Sequence, residues 1–134
     1  MSRVSILLAD DNSAVLDQVT RMLQDDYDIV AALKDGHIVV KECLRLKPDV
    51  VVLDISMDDV SGIDLARQLR VSGSNAKIIF LTVHEDYEFV NAAIGAGALA
   101  YVVKSRLSVD MVSAVKAVLC EKFFVSASLL YERQ

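Results

Sequence analysis

The chain has 134 residues, 54% hydrophobic and 25% charged, which fits one domain with a sizeable core. A formal net charge of -5 argues against a surface that grips nucleic acid by itself. No apolar run reaches membrane-spanning length and the N-terminus lacks a signal-peptide pattern, so a cytoplasmic protein with no membrane contact is expected. Cys43 and Cys120 are isolated, without metal-ligand spacing, and read as reduced, mostly buried thiols.

Val4, Ile6, Leu7 and Leu8 predict a first strand over 4–9, stopped by Asp10-Asp11-Asn12. Val15, Val19, Met22 and Leu23 then share one face of a helix that Asn12 or Ser13 can cap. A second strand runs over 27–33, Gly36 breaks the chain, and 38–46 has helical spacing. Val50-Val51-Val52-Leu53, with Pro48 just ahead, reads as a third strand buried on both faces, ending abruptly at Asp54. Ser61-Gly62 opens a helix with Ile63, Leu65, Ala66 and Leu69 as its apolar set, and 72–75 is a turn cluster. The fourth strand, 78–81, ends at Thr82; a short helix covers 87–94; the fifth strand, 100–103, ends at Lys104; a last helix covers 109–119. Five βα repeats predict a doubly wound, five-stranded parallel sheet with five helices on its two faces, joined by right-handed crossovers.

Four of the five strands therefore end in a chemically capable residue: Asp10-Asp11, Asp54, Thr82 and Lys104. A parallel sheet brings all such ends to one edge, where ligands bind in open α/β folds. Each residue alone is ordinary, since an Asp after a strand is commonly a turn or cap. Together they make chemical sense. Three carboxylates near one point repel unless a cation joins them. A hard ion such as Mg2+, which takes a few carboxylates plus waters, resolves the conflict. Lys104 is a point charge able to bridge a carboxylate and a phosphoryl oxygen. With the Thr82 hydroxyl, these groups would position and neutralise a phosphoryl group in transfer to a carboxylate nucleophile.

Residues 8–12 (Leu8-Ala9-Asp10-Asp11-Asn12), 48–57, Ser61-Gly62, Leu81-Thr82 and 95–104 (Gly95 through Tyr101 to Lys104) carry a resemblance over 3–121. The sequence resembles the receiver domain of a two-component response regulator. That resemblance implies a flavodoxin-like sheet of order 2-1-3-4-5 and a signalling switch rather than an enzyme with small-molecule turnover. It implies that Asp54 is the phosphoacceptor, that Asp11 binds Mg2+ directly with help from Asp10 and Asp54, and that the main-chain carbonyl of Ser56 completes the protein ligands. It also implies that Thr82 moves toward the phosphoryl group while Tyr101 swings inward into the space Thr82 vacates. A sensor histidine kinase would be the donor. The face made by the fourth helix, fifth strand and fifth helix would be the readout. His84 and Ser56 occupy positions that tune phosphorylation and hydrolysis rates in the family; the alternative for His84 is an exposed loop histidine.

Two departures stand out. Asp58-Asp59 replaces the family's proline after Met57; both carboxylates face solvent or else tune metal affinity or kinase choice. Ser105 replaces the proline after Lys104, so a trans bond is the default there. The segments 114–119 and 123–127 are similar to receivers of helix-turn-helix regulators of the nitrate-response and quorum-sensing type. The expected organisation is thus a receiver over 1–121 and, over 122–134, a C-terminal extension, which could continue the last helix, or the start of a linker to an effector domain. These residues contain no helix-turn-helix, so DNA would be reached only through a further effector domain, and homodimer formation is open. Three other readings compete: a receiver-like partner-binding module without phosphorylation, a Mg2+-dependent phosphatase with an Asp nucleophile, and a flavodoxin-like cofactor binder. The phosphatase reading suffers from adjacent Asp10-Asp11 where Asp-x-Asp is usual, and the cofactor reading from carboxylates where a phosphate cradle would be needed.

Overall fold

A computed structural model describes residues 3–126. The strands are β1 (Ser5–Ala9), β2 (Asp28–Leu33), β3 (Val50–Leu53), β4 (Lys77–Thr82), β5 (Ala100–Val103) and β6 (Phe124–Val125). The helices are α1 (Ser13–Leu23), α2 (Val39–Leu46), α3 (Gly62–Val71), α4 (Tyr87–Gly95) and α5 (Leu107–Leu119). The sheet order is β2-β1-β3-β4-β5-β6 and every pairing in it is parallel. The expected flavodoxin-like order 2-1-3-4-5 is present, with one short strand added at the edge.

The apolar run of β3 lies at the centre because it can be buried on both sides; none of Val50, Val51, Val52 or Leu53 is more than 3% exposed. Alternate side chains of each strand feed two cores, as a period of two requires. One core joins Leu7, Val51, Leu53, Ile78 and Phe80 to Val39, Ile63, Leu65, Leu69 and Val90 of α2, α3 and α4. The other joins Ile6, Leu8, Val50, Val52, Ile79 and Leu81 to Leu16, Val19 and Leu23 of α1 and to Met111, Val115 and Val118 of α5. Each fully buried aliphatic side chain contributes about 1.5–3 kcal/mol. Along α5 the valines sort by depth: Val115 and Val118 are buried, Val112 is half-buried and Val109 is 64% exposed.

Local chemistry sets the boundaries. Asn12 caps α1, its side chain accepting from the N–H groups of Ala14 and Val15, and Ser61 caps α3 at Asp64 N–H. α2 ends with Lys47 in the left-handed region at φ 48°, and Pro48 prevents continuation. Gly62 is demanded by contact. A Cβ there would stand 2.1 Å from the carbonyl oxygen of Asp54 and 2.9 Å from its carbonyl carbon. Gly62→Ala is therefore expected to push the Asp54 backbone aside and to destabilise the fold by about 1–3 kcal/mol or more, measured as a lower urea midpoint at unchanged slope.

Three expectations change. Residues 122–126 neither extend α5 nor leave the domain: Phe124 N–H donates to Leu99 O and Ser126 N–H to Tyr101 O, which makes β6. The exposed edge of β5 otherwise offers unpaired backbone groups, and this segment satisfies them. Residues 127–134 of the expected extension lie outside the described residues. Cys43 is buried, its thiol pushed up to about 12 by burial and then by Glu42, but Cys120 is exposed because it follows the last turn of α5. Finally, α5 starts two residues before the predicted position, after a single 3-10 turn over Lys104–Arg106.

Candidate functional site

The C-terminal ends of β1, β3, β4 and β5 meet on one sheet edge, as parallel pairing dictates. Asp10 follows β1, Asp54 follows β3, Thr82 closes β4 and Lys104 follows β5. Asp10, Asp54 and Thr82 are 2%, 5% and 0% exposed, so their polarity is held inside the protein rather than at its surface. Lys104 Nζ stands 2.9 Å from Asp10 Oδ2 and 3.2 Å from Asp54 Oδ2. The second oxygen of each carboxylate is used locally: Asn12 N–H donates to Asp10 Oδ1 and Ser56 N–H to Asp54 Oδ1.

Asp11 is exposed and adds a third carboxylate. One oxygen from each of Asp10, Asp11 and Asp54 lies within 4.8 Å of the others. These residues fit a hard divalent cation. The donors are all oxygen, and Asp10 Oδ2 is buried with no hydrogen bond, near the Lys104 ammonium but not aligned with it. The charges are also unbalanced. Burial, then the Asp10 charge, raises the Asp54 carboxyl above its ordinary value, outweighing Lys104 and the Ser56 N–H. For Lys104, burial works downward, but contact with Asp10 and Asp54 outweighs it and the ammonium is held above its ordinary range. An ion pair by itself would lower the carboxyl. Asp54 moves the other way because burial, then the charge of Asp10, outweighs the ammonium that the two carboxylates share.

The β4–α4 loop closes the site from one side. Thr82 Oγ1 accepts from His84 N–H at 3.1 Å, and the Tyr101 hydroxyl donates to His84 O at 2.8 Å. Tyr101 is only 1% exposed, and burial, followed by Asp86 and Glu85, pushes its phenol up. Its ring thus lies inward. His84 is half-buried rather than an exposed loop histidine: Nε2 is 3.2 Å from Ser56 Oγ, and the ring stacks on Phe89 with centroids 4.1 Å apart.

A family model for the response regulator receiver domain matches residues 6–116. The chain belongs to the response regulator receiver family. Curated relatives include the response regulator GacA of Pseudomonas viridiflava, 30% identical over 128 residues, covering 94% of this chain and 60% of that protein. The transcriptional regulatory protein YxjL of Bacillus subtilis is 31% identical over 117 residues, covering 86% and 54%. A solved LuxR-family two-component response regulator from Aurantimonas sp. SI85-9A1 superposes with a TM-score of 0.91 at 29% identity, covering 98% of this chain and 95% of that one. The receiver spans 60% or less of the length of these curated relatives.

The two departures from the family pattern are local in this receiver. Residues Ser56–Met57 and Val60–Ser61 form a two-stranded hairpin with Asp58 at φ 53° in its turn. Asp58 and Asp59 are exposed, and Asp59 pairs with His37 Nε2 at 3.1 Å, away from the three-carboxylate group. There is no cis peptide among the described residues, so the Lys104–Ser105 bond is trans as expected. A surface groove of about 890 Å3 lies at the opposite edge of the sheet and includes Arg3, Lys47, Asp49 and Lys77. It takes no part in this site. No described helix is long and apolar enough to cross a membrane. Phe89 is a neighbour of the site that the sequence motifs do not mark. An aromatic five residues beyond His84, in the first turn of α4, was the available signal.

Proposed function

We propose that this receiver is a phosphorylation switch with Asp54 as phosphoacceptor. The observation that carries the reading is the juxtaposition of buried Asp54 with Asp10, Asp11 and one shared ammonium, Lys104. In phosphoryl transfer, an Asp54 carboxylate oxygen forms the new P–O bond while the P–N bond of a histidine kinase's phosphohistidine breaks. The imidazole leaves with that electron pair and takes up a proton. Asp10, Asp11, Asp54 and the Ser56 carbonyl would hold Mg2+, which when bound supplies positive charge to the phosphoryl oxygens. Lys104 orients the nucleophile and then exchanges its carboxylate contact for a phosphoryl oxygen. In this reading the Thr82 hydroxyl would turn to donate to the same group. That rotation would release its contact with His84 N–H, and with it the anchor of the loop that Tyr101 also holds. The equilibrium between the two loop arrangements is what phosphorylation would shift.

The readout in this reading is the surface of α4, β5 and α5, and the output is control of transcription. DNA would be engaged only through a separate effector domain, with pairing of receivers as one route. Support comes from the curated relatives, which are regulators longer than this chain. The test is intact mass after incubation with acetyl phosphate and Mg2+. Wild type is expected to gain one phosphoryl group, Mg2+-dependently, and Asp54→Asn none. An adduct that persists in Asp54→Asn would show that another residue is the nucleophile.

A further inference from the structure

We propose that Phe89 is a positioning residue for the chemistry at Asp54. Its ring holds the His84 imidazole against the Ser56 hydroxyl, and this clamp sets how readily water reaches the phosphorylated carboxylate. The inference rests on Asp54 being the phosphoacceptor.

His84 is held at four points. Its N–H donates to Thr82 Oγ1 and its carbonyl accepts from the Tyr101 hydroxyl, so two proposed switch residues fix its backbone. Its side chain has two more partners, Ser56 Oγ at 3.2 Å from Nε2 and the Phe89 ring, stacked at 4.1 Å with 14° between the planes. Ser56 in turn donates its N–H to Asp54 Oδ1. The imidazole therefore bridges the loops that follow β3 and β4, at the strand ends that carry Asp54 and Thr82. A single hydrogen bond to a hydroxyl on an exposed residue, with water competing for both partners, holds a ring weakly. The stack fixes the plane of the imidazole and covers one of its faces. Aromatic pairs of this kind shift equilibria by about two- to tenfold.

Hydrolysis forms a bond from a water oxygen to phosphorus and breaks the bond from phosphorus to Asp54. The electron pair returns to the carboxylate, and the water's protons pass to phosphate and solvent. A ring clamped across the approach slows this step without touching the transferred atoms. Phe89 lies in the first turn of α4, so any partner that displaces α4 also moves the clamp. Phosphoryl lifetime and occupancy of the α4 surface are thereby linked.

The experiment loads wild type, Phe89→Ala, Phe89→Tyr, His84→Ala and the Phe89→Ala/His84→Ala double variant with acetyl phosphate and Mg2+. The donor is then removed and decay of the adduct followed by intact mass. Phe89→Ala and His84→Ala are each expected to shorten the half-life by about two- to tenfold. The double variant should decay no faster than His84→Ala, and Phe89→Tyr should restore the wild-type lifetime. An unchanged lifetime in Phe89→Ala, multiplied losses in the double variant, or a Phe89→Tyr that decays like Phe89→Ala would each overturn the assignment. Should Phe89→Ala fail to fold, the His84 Hε1 resonance decides. It should lie upfield in wild type and move downfield in Phe89→Leu, and an unshifted wild-type resonance overturns the clamp. Wild type that takes up no phosphoryl group overturns the Asp54 reading and this inference together. A wild-type adduct whose lifetime ignores Phe89 overturns this inference alone.

Discussion

Lys104→Met is expected to lower the stability of the receiver at neutral pH, in the absence of divalent ions, by about 3 kcal/mol. That is the lower end of the ~3–5 kcal/mol seen when one partner of a buried ion pair is removed, chosen because the Lys104 side chain is 17% exposed. The loss is specific in origin. Asp10 Oδ2 has no hydrogen bond and only this ammonium beside it, and Asp54 Oδ2 shares the same ammonium. Methionine keeps the length and the apolar stem of the side chain, so packing is largely preserved while the charge is deleted. Two conditions should then restore stability. Mg2+ should help the variant more than wild type, since two carboxylates lacking their ammonium offer the cation a larger gain, seen as a greater midpoint increase at equal ion concentration. Acid should help too, because protonating one of the two carboxylates ends their repulsion. Urea titrations with chelator, with Mg2+ and at two pH values separate these effects. A midpoint unresponsive to both Mg2+ and acid would mean that Lys104 contributes packing rather than charge.

The second large effect concerns Asp54 in the metal-free receiver. Burial and the neighbouring Asp10 raise its carboxyl above the ordinary 3.8. A group whose folded pKa is raised binds its proton more tightly in the folded state, so it favours folding while protonated. That contribution is complete below pH 3.8 and is lost as pH rises through the raised folded value. Asp54→Asn removes the ionisation, so at neutral pH without divalent ions the variant is expected to be more stable than wild type. Its stability should also fall less as pH rises from 3.8 through the folded pKa of Asp54. Mg2+ should narrow or reverse the difference by stabilising wild type selectively. Lys104 gives no competing slope in this window: its pKa is also raised, and its contribution is lost only above 10.5. A wild type whose metal-free stability matches Asp54→Asn across the acidic range would disprove the raised pKa.

Both effects pit the stability of the fold against the chemistry of its site. Asp10, Asp11 and Asp54 are costly to bring together, and an isolated sheet of this hydrophobicity has no need of them. The cost is carried by two cores of aliphatic side chains that hold the strand ends in place regardless of the charges upon them.

Much of this was legible in the amino-acid sequence. Strands of alternating or continuous apolar residues, separated by helical repeats, require a parallel sheet. A parallel sheet places Asp10, Asp54, Thr82 and Lys104 on one edge whatever the details of packing, because every strand points the same way. Turn and cap chemistry at Asn12, Ser61 and Pro48 likewise follows from the residues themselves. What tertiary structure alone decided lies in loops and rotamers. The inward Tyr101, the His84 contacts to Ser56 and Phe89, the Asp59 pair with His37 and the β6 strand join partners outside any one local pattern. Local periodicity states which face of an element is apolar. It does not state which side chain from a distant loop will meet it, since that depends on the summed packing of elements far apart in sequence.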